Sequence, residues 1–259
     1  MADFQISPAE VPDVFRTTIA RVVLARRLRE VVVLRGFTRL DPPDPENPAQ
    51  VIAPIALNPL NWLPAVEHRG EGIFLELAEQ RVREWERRSV VQERMGRLNL
   101  AYSAWREQRN LPPAPPVTAR TVLLHTLAHL LMRQLSLECG YSSSALRERL
   151  YTGSDMCGLL IYTASSDSDG SLGGLVQQGQ RDRFAQTMLA LCEYARWCSG
   201  DPHCTENNPS RTGRLNGASC HMCSMVAETS CERGNRFLDR AFLMDLPGLP
   251  SGTGYFEQV

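Results

Sequence analysis

Residues 197–240 read WCSGDPHCTENNPSRTGRLNGASCHMCSMVAETSCERGNRFLDR, with Cys198, Cys204, Cys220, Cys223 and Cys231 inside 34 residues. Cys220 and Cys223 form a CxxC knuckle, the spacing that lets two sulfurs converge on one ion. Zn²⁺ is borderline-soft, has no redox chemistry of its own and takes four thiolates in a closed tetrahedral shell. Five thiols exceed that need, so one is spare. The expected ligands are Cys204, Cys220, Cys223 and Cys231, with Cys198 as an alternative to Cys204. Buried free thiols or disulfides are the other readings, and nothing else in the chain points to an oxidising compartment.

Around this corner, 259 residues with 43% hydrophobic and 22% charged residues are enough for a sizeable core and unlike a disordered composition. The opening MADFQISPAEVPD is acidic and carries Pro8 and Pro12. It lacks the basic region and apolar run of a signal peptide, and no apolar run is long enough to span a bilayer. The expected location is cytoplasmic. All 28 basic residues are arginine. Without lysine there is no Walker-type phosphate loop, Schiff-base nucleophile or lysine general base. The guanidiniums suit bidentate phosphate or carboxylate contacts.

In chain order, Pro12 to Arg29 fits a helical period and Val31 to Leu34 a buried strand. A proline-rich loop covers 40–54. Ile73, Phe74 and Leu75 follow two glycines and read as a strand. Glu79 to Asn110 is helical and arginine-rich. Arg81, Arg87, Arg88, Arg94 and Arg97 make it the best candidate for a nucleic-acid-facing surface, against a solvated helix laced with ion pairs. LPPAPP at 111–116 is the expected boundary between an N-terminal α/β region, 1–116, and a zinc-binding domain, 117–246.

Thr121 to Leu137 is apolar around most of its circumference and reads as a central core helix. His125 and His129 lie one turn apart on it. The zincin motif needs a glutamate after the first histidine, and Thr126 stands there. Ser142 to Tyr151 reads as a short helix. CGLLIYT, 157–163, reads as a strand running into ASSDSDGSLGG, where Asp167 and Asp169 offer carboxylates. A helix over 181–197 leads into the cysteine segment, and 235–246 suggests a last amphipathic helix. Residues 247–259 are expected to be a flexible tail. The fold class is thus mixed α/β, helices packed on a small mixed sheet, with a C-terminal four-cysteine zinc subdomain.

Several long phrases carry a resemblance: ARRLREVVVLRGFTRL, WLPAVEHRGEGIFLEL, HTLAHLLMRQLSLECGYSSSALRERLY, GLLIYTASSDSDGSLGGLVQQG and CHMCSMVAETSCERGNRFLDR. Together they resemble the DrmB family of the DISARM phage-defence system over nearly the whole chain. The later part is also similar to the zinc-binding module of MrfA-type repair helicases, in which a cysteine cluster ends in a CxxxNxxLD-like phrase. Here that phrase runs through Cys231, Asn235, Leu238 and Asp239. DrmB proteins usually carry a sizeable portion before the matched part, whereas this chain starts at Met1 close to where the match starts, as a stand-alone or split form would.

The resemblance implies a DNA-associated helper of a helicase-like, DrmA-type partner in antiviral defence, the motor residing in that separate subunit. The expected function is a non-catalytic, zinc-binding accessory subunit that binds the partner and assists it on DNA, away from any membrane. An enzymatic alternative is a metal-dependent nuclease or hydrolase using His125, His129, Asp167 and Asp169, which needs those groups to converge around an open coordination position. A third reading is an architectural subunit without DNA contact.

Overall fold

The computed structural model describes residues 3–39, 43, 44, 46, 47, 50–142, 144–163 and 174–257. Strand β1 spans Gln5–Ala9, β2 Ile19–Val33, β3 Gly36–Phe37, β4 Ala53–Pro54 and β5 Ala65–Leu77. Helices α1, Glu79–Glu86, and α2, Ser89–Gln108, precede the long α3, Ala119–Cys139. Strands β6, Leu146–Tyr151, and β7, Gly158–Thr163, return to the sheet. Helices α4, Gly174–Gln178, α5, Arg181–Ala195, and α6, Pro209–Thr212, complete the regular elements. None of these helices is long and apolar enough to cross a membrane.

The main sheet has the order β1-β2-β5-β7-β6, and every pairing in it is antiparallel. A mixed sheet was expected. The difference follows from segment 12–29, where the helical reading fails: residues 19–33 are a strand instead. Val22 and Leu24 face the core, but the register slips between Ala25 and Leu28, so a regular two-residue alternation does not persist. A bulge re-phases the side chains in this way. It lies opposite the glycines of β5. A Cβ on Gly70 would sit 2.3 Å from Thr163 Oγ1 and 2.5 Å from the Thr163 carbonyl oxygen, so only glycine lets the chain pass so close. The expected helix over 142–151 is likewise corrected: LRERLY is β6, with Leu146 and Glu148 turned inward.

Helix α3 lies at the centre. Thr118 caps its start by accepting from the Thr121 N–H, and Gly140, at φ 74°, ends it. Every residue from Ala119 to Met132 is buried, so no polar face remains for solvent. Sheet, α1, α2, α5 and the C-terminal segment enclose it. The same core runs through Val22, Trp85, Val122, Phe184, Phe242 and Phe256. The boundary expected at 116 therefore divides neither core nor sheet: β1, β2 and β5 precede it, β6 and β7 follow it.

Two C-terminal expectations are also corrected. Residues 235–246 form irregular turns with one 3-10 turn, Arg240–Phe242, because Gly234, Asn235 and Phe237 all take positive φ. The expected flexible tail is packed through most of its length: Tyr255 and Phe256 are buried, Tyr255 donates to the Thr18 carbonyl at 2.7 Å, and Trp85 Nε1 donates to the Thr253 carbonyl at 2.8 Å.

Candidate metal centre

Four sulfurs converge at the C-terminal end of α5. Cys198 lies in the turn just beyond that helix, Cys204 in the next turn, and Cys220 and Cys223 in the knuckle. Their ligand atoms all lie within 4.8 Å of one another. The Cys198–Cys220 sulfurs are 3.5 Å apart, and Cys204–Cys223 and Cys220–Cys223 are each 3.7 Å apart. A disulfide would need about 2.05 Å. Four sulfurs at about 2.3 Å from a central zinc ion form a tetrahedron with edges of about 3.8 Å, which these separations approach.

The surroundings fit an anionic cluster. The backbone N–H of Gly200 donates to Cys198 Sγ at 3.3 Å and that of Cys220 to Cys223 Sγ at 3.2 Å. Arg240, with no exposed surface, donates to the carbonyls of Ala195 and Ala218, to Asp201 and, at 3.6 Å, to Cys204 Sγ. Asp201 in turn accepts from the Cys198 and Thr205 N–H groups, fixing the turn that separates Cys198 from Cys204. The bond from Cys204, the Ser224 hydroxyl and the nearby Arg240 guanidinium hold Cys223 below the ordinary thiol range, the same bond drives Cys204 upward, and burial raises Cys198. A bound cation favours the thiolate form of each ligand.

Cys231 is not among them. The sequence expectation placed it in the set and left Cys198 as an alternative to Cys204; the structure brings both Cys198 and Cys204 to the cluster and carries Cys231 elsewhere. The loop 224–230 moves it to α3, where its Sγ lies 3.2 Å from His125 Nε2 in a second group with His129 and Glu148. Three residues that shape these places escaped the sequence reading. Glu148 sat in a segment taken for a helix, Arg240 lay beyond the last cysteine, and the backbone acceptor at Ser224 has no sequence signal.

Asn235 and Asp239 of the terminal phrase act as clamps. The Asn235 amide donates to the Val226 carbonyl and accepts from its N–H. Asp239 accepts from the Ala218 and Ala241 N–H groups and from Arg94 Nη2 at 2.9 Å. A Cβ on Gly217 would lie 2.0 Å from Asp239 Oδ2. Glycine is required there for the carboxylate to reach the cluster's backbone.

The arginines expected to face nucleic acid divide. Arg94 is consumed by Asp239, Arg88 binds the Gly252 carbonyl and Glu257, and Arg81 reaches the Tyr255 carbonyl and ring. These three hold the C-terminal segment onto α1 and α2. Arg97 pairs with Glu93 on the same helix and stays half exposed, and Arg87 is exposed. For the hydrolase reading, His125 and His129 are completely buried and face Glu148 and the partly exposed Cys231. Asp167 and Asp169 lie outside the described residues.

Residues 127–224 match the MrfA Zn-binding domain, a span that contains all four clustered thiols and excludes Cys231. The DISARM protein DrmB of Bacillus paralicheniformis is 44% identical over 247 residues, covering 94% of this chain. The chain spans 44% of the length of that relative. Among solved structures, the DUF1998 helicase MrfA bound to DNA aligns with 81% of this chain and 22% of its own, at 12% identity and a TM-score of 0.34.

Proposed function

We propose, from a chain that is DrmB-like over 94% of its length and carries an MrfA-type zinc-binding domain, that it serves phage defence as a non-catalytic zinc module of a helicase-like partner. The observation that carries this reading is the tetrahedral gathering of Cys198, Cys204, Cys220 and Cys223 inside the matched segment. These four would hold Zn²⁺ as a closed shell with no position for water or substrate, so the ion supplies rigidity rather than Lewis-acid chemistry. Arg240 offsets part of the site's net −2 charge, and the N–H donors to Cys198 and Cys223 share the rest.

A surface for the partner is available in the far half of the β2–β5 ribbon. There Val31, Val32, Val33, Leu34 and Val66 are all exposed, as are Phe37 and Trp62. Val32 and Val66, paired across the two strands, share one face of the ribbon, and exposed apolar side chains there suit a partner surface. DNA is held through the complex, with Arg87 and Arg97 the members of the arginine set that still face outward.

The test is co-purification of the tagged chain with the products of neighbouring genes, followed by DNA retention across a salt series with and without the chain. An ATPase motor should co-purify and hold DNA to higher salt when the chain is present. Val32→Glu should release the motor, and Arg87→Ala should weaken retention at high salt without loss of fold. Absence of any motor from the purified complex, or retention unchanged by the chain, would refute the role.

A further inference from the structure

We infer that His125, His129, Glu148 and Cys231 form a second, mixed-ligand zinc site, separate from the four thiols. The four ligand atoms lie within 4.8 Å of one another. His125 Nε2 is 3.2 Å from both Cys231 Sγ and Glu148 Oε1, and His129 Nε2 is 3.6 Å from the same carboxylate oxygen. With zinc–nitrogen and zinc–oxygen distances near 2.0–2.1 Å and zinc–sulfur near 2.3 Å, a tetrahedral ion spaces its N and O donors about 3.4 Å apart and its N and S donors about 3.6 Å apart.

Three further observations point to an ion. His129 Nδ1 lies 2.8 Å from the Ser224 carbonyl and donates to it, which fixes the tautomer and leaves Nε2 as a bare lone pair facing the cluster. That Nε2 is buried and has no hydrogen-bond partner. Cys231 Sγ accepts from the backbone N–H groups of Arg233, at 3.3 Å, and Asn235, at 3.2 Å. Gly234 and Asn235 take φ near 58° to wrap the chain around the sulfur. N–H donors of the same kind surround Cys198 and Cys223 in the first cluster.

Charge favours the assignment as well. One carboxylate and one thiolate neutralise Zn²⁺, and two neutral imidazoles complete the shell, so the filled site has no net charge. Without the ion, a buried carboxylate faces two buried rings, and His129 Nε2 has no hydrogen-bond partner.

The occupied site would pin β6, α3 and the turn at 231–235 together. It would also reach the first cluster, because Ser224 adjoins Cys223 and its hydroxyl lies 3.4 Å from that sulfur. His125, His129 and Glu148 are buried and Cys231 is partly buried, and with four protein ligands the shell is complete, so the site is structural and holds the loop between Ser224 and Cys231 at both ends.

The full chain, equilibrated with Zn²⁺ and desalted without chelator, should contain two zinc ions. X-ray absorption at the zinc edge should average about 2.5 sulfur and about 1.5 nitrogen or oxygen ligands per ion. Glu148→Gln combined with Cys231→Ser should leave one zinc with four sulfurs. Iodoacetamide should label Cys231 in the wild-type chain only after chelation. One zinc bound by four sulfurs in the wild type, or free-thiol labelling of Cys231 before chelation, would overturn the assignment while leaving the four-thiol site intact.

Discussion

Arg240 shows how much of the site depends on a residue outside the cysteine spacing. Its guanidinium is entirely buried, bonded to two backbone carbonyls and Asp201, and set against Cys204. Arg240→Met should destabilise the chain by about 3–5 kcal/mol in denaturant titration, because it leaves Asp201 and the thiolates without their buried cation. Zinc should also be lost to chelators faster. Residues 197–240 made a metal corner legible through CxxC and composition, yet not the choice among five thiols. Seven residues separate Cys223 from Cys231, enough chain to join the cluster or to leave it. What decides is the turn at Gly234 and Asn235, together with His125 one layer away, and neither is visible in spacing. Asp44 gives a test at the same scale. Burial raises its pKa, but the hydrogen bonds from Arg236 and the Glu46 N–H, with the charges of Arg236 and Arg109, together outweigh this and hold the carboxyl below the ordinary aspartate value of 3.8. The pair is therefore stabilising above that value and fades as pH falls through the depressed one. Asp44→Asn should cost about 1 kcal/mol at neutral pH, and the difference from wild type should vanish in strong acid, as thermal melts across pH would show.

Among the elements, α3, α5 and β7 stand close to where the sequence places them, while the single helix read over 79–110 is two, α1 and α2, interrupted at Arg87 and Arg88. Strand β2 departs further. Phe15, Ile19, Val22 and Val23 satisfy a helical spacing over a short window, while the bulge after Ala25 interrupts the alternation that would have identified the strand. LRERLY in β6 is charged enough to read as a helix, and only Glu148 facing two buried histidines explains an inward acid. The C-terminal segment misleads differently: its glycines and prolines suggest mobility, but Tyr255 and Phe256 end in the core against Trp85 and Phe15. Phe256→Ala should therefore lower stability by about 3–5 kcal/mol in chemical denaturation, where a mobile tail would register almost nothing.

For the whole molecule, one antiparallel sheet draws strands from both sides of the proline-rich 111–116 segment, and the last described residues close over the first helix pair. The metal corner is thus part of the same core, through Arg240 to α5 and through Asp239 to both α2 and α3. Loosening it should disturb the body that presents the exposed ribbon, which is how, under the proposed function, a closed zinc site would bear on a partner docked there. The most direct test is zinc-edge X-ray absorption on the chain carrying both Glu148→Gln and Cys231→Ser. One zinc surrounded by four sulfurs is expected, since Cys198, Cys204, Cys220 and Cys223 remain; a zinc with three sulfurs, or none retained, would contradict the four-thiol centre.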